Sequence, residues 1–273
     1  MKVLFGNKKG GVGKSITVIN LAGAIINRAK RQGKSTKNLV CLVDADTNET
    51  VAKYIARREE FNESLKAANL PELDFIKVEI KKPDMSLTRD LISLGEIYEY
   101  VLVDTGGYEN IAFKSAIGAV DMVYLPFQSS QADMEQLVPT LYVIQQIEEN
   151  LQVTVDPDFT IDSRLLLTKV DTTQKDLFAE AKSTCKELLE FTSISGCAIP
   201  SVKAITQIQP AGLTLSDPLP SSLKNISVPK NKSNWKPHPK RSAFDLLLDE
   251  IDGKRNVEFD RILNMSDASD TTE

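Results

Sequence analysis

Short apolar runs alternate with longer stretches of helical periodicity along most of the chain, and this alternation restricts the fold more than any other feature. Lys2 to Gly6 is an apolar run ending in glycine, and Ser15 to Gln32 carries Ile16, Ile19, Ala22, Ala24 and Ile26 at near-helical spacing before Gly33. Leu39 to Val43 is a second run, closed by Asp44, with a helix expected over Thr47 to Arg58. Phe75 to Ile80 alternates like a strand, Tyr100 to Val103 ends in Asp104, and Asn110 to Ala119 reads as a helix. Met122 to Leu125 is expected as a strand stopped by Pro126, and Ala132 to Asn150 as a long amphipathic helix. Arg164 to Leu167, Gln174 to Glu190 and Cys197 to Ile199 continue the series as strand, helix and strand. Strands and helices in this order pair in parallel through right-handed crossovers and are buried on both faces. The expected fold is α/β, a doubly wound, mostly parallel sheet flanked by helices. Such sheets bind ligands beyond the carboxyl ends of their strands, where Asn7 to Ser15, Asp44 to Asn48 and Asp104 to Gly107 all lie.

One domain is expected over 1–252. Within it, periodicity fails over 213–241, where Pro218, Pro220, Pro229, Pro237 and Pro239 break any long helix, and returns over 242–252. The tail, 253–273, ends in SDASDTTE and is too polar and acidic to be expected to order. Cys41, Cys185 and Cys197 are too few and too far apart for a disulfide framework or a zinc site. No secretory run and no stretch of about eighteen apolar residues is present, so a cytoplasmic chain without a transmembrane segment is expected.

The segment NKKGGVGKS follows the first strand and opens the first helix. A phosphate-binding loop requires this context, because backbone N–H groups point inward and a helix N-terminus favours anions. Gly10, Gly11 and Gly13 let the backbone approach a ligand, Lys14 supplies a charge for outer phosphates, and the Ser15 hydroxyl is placed to hold magnesium. The strict pattern G-x-x-x-x-G-K-S is broken, since Lys8 stands where its first glycine belongs. Lys9-Gly10-Gly11-Val12-Gly13-Lys14-Ser15 instead resembles the signature of the ParA/MinD superfamily of deviant Walker A P-loop ATPases, in particular the short ParA-type plasmid partition and stability proteins. The resemblance covers roughly Met1 to Pro210. It implies ATP bound by Lys9, Gly10, Gly11, Val12, Gly13, Lys14, Ser15 and Ile16, with Mg2+ as cofactor. It also implies an ATP-dependent homodimer in which Lys9 reaches the phosphates of the other subunit and, with Lys14, stabilises charge on the transferring phosphoryl group. The alternative is that Lys8 and Lys9 are two solvated loop charges.

Asp44 and Asp46 follow the second strand in LVDADTNET. The resemblance makes this switch I, with Asp46 catalytic, orienting the attacking water, and Asp44 in the outer magnesium shell. On its own, Asp46 also reads as a cap for the next helix. Tyr100 to Gly107, YVLVDTGG, resembles a Walker B strand and switch II turn made by Asp104, Thr105, Gly106 and Gly107. Asp104 would accept from magnesium-bound water, and the paired glycines would give a turn that responds to the terminal phosphate. VDMVYLPFQSS and CAIPSVKAI extend the resemblance, the latter setting Pro200 and Ser201 on the adenine side. Partition proteins usually continue with an arginine-asparagine pair and a later glutamate-alanine, whereas this chain reads SVKAITQIQPAG and departs from that pattern.

With 33 basic and 38 acidic side chains the net charge is -5, so no whole-molecule field draws the chain to nucleic acid and any contact must come from a patch. Pro218 to Phe244 contains no acidic residue, while Lys224, Lys230, Lys232, Lys236, Lys240 and Arg241 lie there beside Trp235 and His238. If all of them met DNA phosphates, the salt slope would be about -5, at roughly 0.9 per phosphate. The alternative is a solvated basic loop. The phosphate loop starts so close to Met1 that no helix-turn-helix is expected before it. Ser242 to Ile251 aligns Phe244, Leu247, Leu248 and Ile251, but Asp245, Asp249, Glu250 and Asp252 oppose anionic headgroups, so core packing is expected over membrane binding. The cysteine positions do not suit an iron-sulfur carrier, and a biosynthetic ligase would need a substrate motif that is not recognisable. The expected function is a weak, dimerising ATPase of plasmid partition, nucleoid-associated through non-specific DNA binding and released by a cargo-bound ParB-like adaptor. Positioning of a conjugative or other large complex is the related alternative.

Overall fold

The structure is a computed structural model that describes residues 1–128, 130–171, 183, 185–224 and 226–253. Its elements run β1 (Lys2–Gly6), α1 (Lys14–Arg31), β2 (Val40–Ala45), α2 (Thr50–Ala67), β3 (Lys77–Ile80), α3 (Thr88–Ile97), β4 (Tyr100–Thr105), α4 (Ile111–Ile117), β5 (Met122–Phe127), α5 (Gln131–Thr154), β6 (Ser163–Val170), β7 (Ser193–Pro200), α6 (Lys203–Ile208) and α7 (Ser242–Ile251). The seven strands form one sheet in the order β3-β2-β4-β1-β5-β6-β7, and every neighbouring pair is parallel. Successive strand residues face opposite sides. Val3 and Phe5 thus join one core with α1, α2, α6 and α7, while Leu4 joins the other with α3, α4 and α5.

β1 lies between β4 and β5, so the loop after it opens where the winding changes direction. Asp44 and Asp104 are register partners on β2 and β4, and Asp104 is also paired in register with Phe5 of β1. Sheet pairing alone thus brings two of the expected segments beside the phosphate loop.

Three local expectations need correction. β5 does not stop at Pro126 but runs to Phe127, with Pro126 paired to Leu166 of β6. A strand residue points its N–H and C=O to the same neighbour, and the Pro126 carbonyl accepts from Asn7 Nδ2 at 2.7 Å. The missing N–H therefore faces a stretch beyond the paired part of β1, where no ladder bond is lost. α2 starts at Thr50 rather than Thr47, because Asp46 to Glu49 forms a turn in which Glu49 N donates to Asp46 O at 3.0 Å. α3 was not expected; it buries only Leu91 and leaves Ile92 and Ile97 exposed, so its apolar stripe is too narrow to stand out. The Gln174–Glu190 helix falls largely, and the tail from 254 wholly, outside the described residues; Cys185–Glu190 is a 3₁₀ helix.

The irregular stretch after α6 is fastened to the domain by polar contacts. Tyr54 donates to Leu213 O at 2.5 Å, and Leu215 N donates to Asn20 Oδ1 at 2.9 Å. Arg58 grips buried Asp217 with two bonds of 2.7 and 2.8 Å. α1 accommodates this stretch through Gly23, where a Cβ would stand 2.3 Å from Thr214 Oγ1. α7 packs as expected, and its acids are engaged by the protein: Arg28 pairs with Asp249 and Asp252, and Arg31 with Asp245. Glu250 is not on an outer acidic face but buried, accepting from Tyr124, Ser195 and Gly196 N and pairing with Arg164.

Burial works against the Asp217 charge, yet Arg58 and the Thr214 donors hold its pKa below the usual carboxylate value. Arg58→Met leaves that carboxylate buried without its cation and should cost about 3–5 kcal/mol at neutral pH. A depressed folded pKa gives stability that is complete above the unfolded pKa and lost as pH falls through the folded one. Urea unfolding should therefore show the wild-type advantage shrinking as the pH drops below about 4; an advantage unchanged in acid would contradict this account.

Candidate functional site

The loop from Asn7 to Gly13 joins β1 to α1, and its path depends on glycine. Gly11 and Gly13 have φ of 77° and 91°, in the left-handed region where a Cβ is strained. Gly13 is the N-cap of α1 and makes no side-chain cap bond, so the first N–H groups of the helix remain available to an anion. Asn7 pins the entry by accepting from Lys9 N at 3.1 Å while donating to Pro126 O. Thr168 at the end of β6 pins the far side, its hydroxyl 2.6 Å from Val12 O and 2.9 Å from Phe127 O. Lys14 is buried and folds over the loop, 3.5 Å from Lys9 O.

The carboxylates stand at the adjoining strand ends. Asp44 accepts from Ala52 N at 2.9 Å and Asp46 N at 3.2 Å; burial raises its pKa and these N–H groups oppose the rise. Asp46 is half-buried and accepts from Asn48 N at 2.9 Å and Asn48 Nδ2 at 3.1 Å. Asp104 is fully buried, and neither oxygen has a hydrogen-bond partner among the described residues. Burial pushes its pKa up to about 7, Ser15 and Lys14 pull it down without a bond of proper geometry, and Asp44 and Asp46 push it further up. A buried, unpartnered carboxylate beside a hydroxyl suits a hydrated hard cation, which supplies the missing positive charge and donor water. Ser15 and Asp104 thus fit a hydrated magnesium ion, and Asp44 stands beside them as the register partner of Asp104.

The Thr105-Gly106-Gly107 turn lies against the phosphate loop. A Cβ on Gly107 would stand 2.4 Å from Lys8 Cα, and one on Gly106 would stand 2.3 Å from Asn110 Nδ2 and 3.9 Å from Asp46 Oδ2. Neither loop lysine is a free charge. Lys8 donates to Glu109 at 2.7 Å and sits 5.3 Å from the Tyr108 ring centre. Lys9, expected to project toward another subunit, is paired in this chain with buried Asp133 at 2.8 Å, and Asp133 also contacts Ser130 Oγ. Asp133 was missed, although Ser-x-x-Asp from Ser130 is a helix-start pattern.

A cavity of about 420 Å³ adjoins the loop, lined by Gly13 and by Ile16 and Thr17 of α1, and Pro200 and Ser201 stand in its wall. The basic segment is less uniform than its sequence implies. Lys232 donates to Pro71 O at 2.5 Å and lies over Trp235, and Arg241 is 3.7 Å from Asp245. Lys224, Lys230 and Lys236 are exposed and Lys240 half-buried, so two of the six are turned to other uses and four are left. No described helix is long and apolar enough to cross a membrane.

Residues 1–147 match the family model described as ATPase MipZ. The chain belongs to the MipZ family of ATPases. Curated relatives include the sporulation initiation inhibitor protein Soj of Bacillus subtilis, 25% identical over 60% of this chain and 71% of Soj. The chromosome partitioning protein ParA of Myxococcus xanthus is 26% identical over 62% of this chain and 65% of that protein, just under two thirds of its length. The maintenance of carboxysome distribution protein A of Gloeobacter kilaueensis is 29% identical, over 66% and 68%. Among solved structures, a Borrelia burgdorferi protein described as a plasmid partition protein bound to AMPPNP covers 93% of this chain and 99% of its own at TM-score 0.56 and 16% identity. The Aquifex aeolicus MinC:MinD complex covers 93% of this chain and 96% of its own at TM-score 0.55 and 13% identity. These likenesses confirm the α/β P-loop ATPase fold and the ParA/MinD-type membership.

The Asp104 pKa is raised on folding, so the group's contribution is complete below its unfolded pKa and lost as pH rises through about 7. Asp104→Asn should therefore stabilise the metal-free, nucleotide-free protein above about pH 7, by up to about 4 kcal/mol, with the gain fading toward about pH 4. Denaturant melts in chelator across that range check it, and a variant no more stable at any pH rejects it.

Proposed function

We propose that this MipZ-family ATPase is an ATP-dependent dimerising switch for DNA segregation, of the plasmid partition or stability type. The reading rests above all on buried Lys14 and unpartnered Asp104 meeting at a glycine loop whose helix N-terminus is uncapped. Lys14 holds the outer phosphates of ATP, and the N–H groups from Lys9 to Ile16 cradle them. Ser15 holds magnesium, with Asp104 and Asp44 acting through its waters. That ion, when bound, supplies positive charge to the phosphate oxygens as the terminal phosphoryl group leaves. Asp46 orients the attacking water, and Thr105-Gly106-Gly107 follows the terminal phosphate. Lys9 leaves Asp133 to meet phosphates bound by a second copy, so that ATP closes a homodimer.

In this reading the dimer binds DNA without sequence preference and associates with the nucleoid in the cytoplasm, until a cargo-bound, ParB-like adaptor stimulates slow hydrolysis. Lys224, Lys230, Lys236 and Lys240 are the phosphate contacts, since Lys232 and Arg241 serve the fold. Similarity to a carboxysome distribution protein favours a second reading, in which the same cycle positions a large complex.

Retention on unrelated duplex DNA tests the first reading. Wild type should be retained with ATP but not ADP, Lys14→Ala not at all, and retention should fall with salt at a slope near -4, roughly 0.9 per phosphate contact. ATP hydrolysis without DNA retention in any state would transfer the assignment to the positioning reading.

Asp46→Ala should still bind ATP but hydrolyse it about a hundredfold more slowly, the loss expected when a water-orienting group is removed. Single-turnover phosphate release measures this, and wild-type turnover would remove Asp46 from the chemistry.

A further inference from the structure

The cavity beside the phosphate loop has mostly apolar walls, including Ile16, Ile199, Pro200, Val202 and Ile205. Flat apolar walls hold a nucleobase but do not choose among bases; choice comes from a few fixed polar groups. Most polar side chains in the wall are already engaged. Thr17 donates to Gly13 O, Thr206 to Lys203 O, and the Thr168 hydroxyl serves Val12 and Phe127. Lys169 and Lys203 are exposed and offer donors only, and Ser201, also exposed, offers one hydroxyl rather than separate donor and acceptor atoms.

Gln209 differs from all of these. It lines the same cavity, is half-buried, and its carboxamide has no hydrogen-bond partner among the described residues. Its backbone is held firmly: Ile208 and Ala211 on either side are buried, Pro210 follows it in a 3₁₀ turn, and Gly212 N donates to Gln209 O at 3.1 Å. No other carboxamide lines the cavity, and a carboxamide offers an acceptor and a donor side by side. Adenine shows the complementary pair, a 6-amino donor next to a ring-nitrogen acceptor.

We propose that Gln209 is the base-reading residue of this site, Oε1 accepting from the 6-amino group of adenine and Nε2 donating to the adjacent ring nitrogen. The inference rests on the nucleotide reading of the loop and adds the group that makes adenine the preferred base. Binding loses little of the apolar contact when the amino group is removed, but leaves a half-buried amide oxygen unpaired.

The test is a cycle in which both partners are altered, read by displacement of a fluorescent nucleotide in magnesium buffer. The probes are ATP and purine riboside 5′-triphosphate, which lacks the 6-amino group. Wild type should bind ATP about tenfold more tightly than the analogue, within the range of a good amide-to-adenine contact. Gln209→Leu and Gln209→Ala, each checked for an unchanged melting temperature, should bind the two probes within about threefold of each other. A wild-type ratio preserved in both variants overturns the assignment while leaving the phosphate loop intact. Binding of neither probe by wild type would overturn the nucleotide reading as well, and Lys14→Ala, expected to lose both probes equally, shows that the signal comes from this loop.

Discussion

A carboxylate without a partner is expensive to bury, and this chain buries Asp104 completely at the end of a central strand. The arrangement around it follows from that constraint. Lys14 and Ser15 stand at the head of α1, close enough to favour the charge but not bonded to it. Asp44, next door in the sheet, is instead tied down by two backbone N–H groups and so fixes the start of α2. Of two register-paired aspartates, one accepts from two backbone N–H groups while the other has no hydrogen-bond partner among the described residues. That asymmetry makes the end of β4, rather than the end of β2, the place where an added cation would gain most.

The stability that tolerates such a site comes from elsewhere in the domain. Arg58 and Asp217, Arg28 with Asp249 and Asp252, and Glu250 with Tyr124 and Arg164 all lie on the face of the sheet covered by α1, α2 and α7. The surfaces that carry these groups are polar, but each group is paired, so burial there costs much less than at Asp104. The same contacts explain how a proline-rich stretch without periodicity keeps one path: its carbonyls and N–H groups are met by Tyr54, Arg58 and Asn20 on helices already formed. Lys232, taken by Pro71 O, belongs to this fastening and not to an outward basic patch.

What could be read from the sequence was local or repeated. Strand ends, the glycine loop and the alternation of elements each leave a signal within a few residues, so the sheet and the Asn7–Ser15, Asp44–Asn48 and Asp104–Gly107 segments were legible before any coordinates. Long-range pairs leave no such trace. Arg58 and Asp217 are 159 positions apart, and Lys9 meets Asp133 from 124 positions away. Proline misled for a related reason: Pro126 is a strand breaker only if its missing N–H faces a partner, and the sheet order decides that. Gln209 lies in a stretch, SVKAITQIQPAG, whose sequence does not single it out, because only the folded cavity distinguishes it from its neighbours.

The phosphate loop and the turn after β4 meet through close backbone packing as well as through an ion pair. The Lys8–Glu109 pair joins them, but both side chains are well exposed, so solvent screens it and it contributes little. The backbone contact is of another kind. Gly107 approaches Lys8 so closely that even a methyl group would overlap its Cα, and Gly106 is as close to Asn110. A displacement of the loop toward the turn would meet that backbone, and the turn leads into the helix α4 that begins at Ile111. Glycine at both positions permits this contact, because any side chain there would meet Lys8 or Asn110.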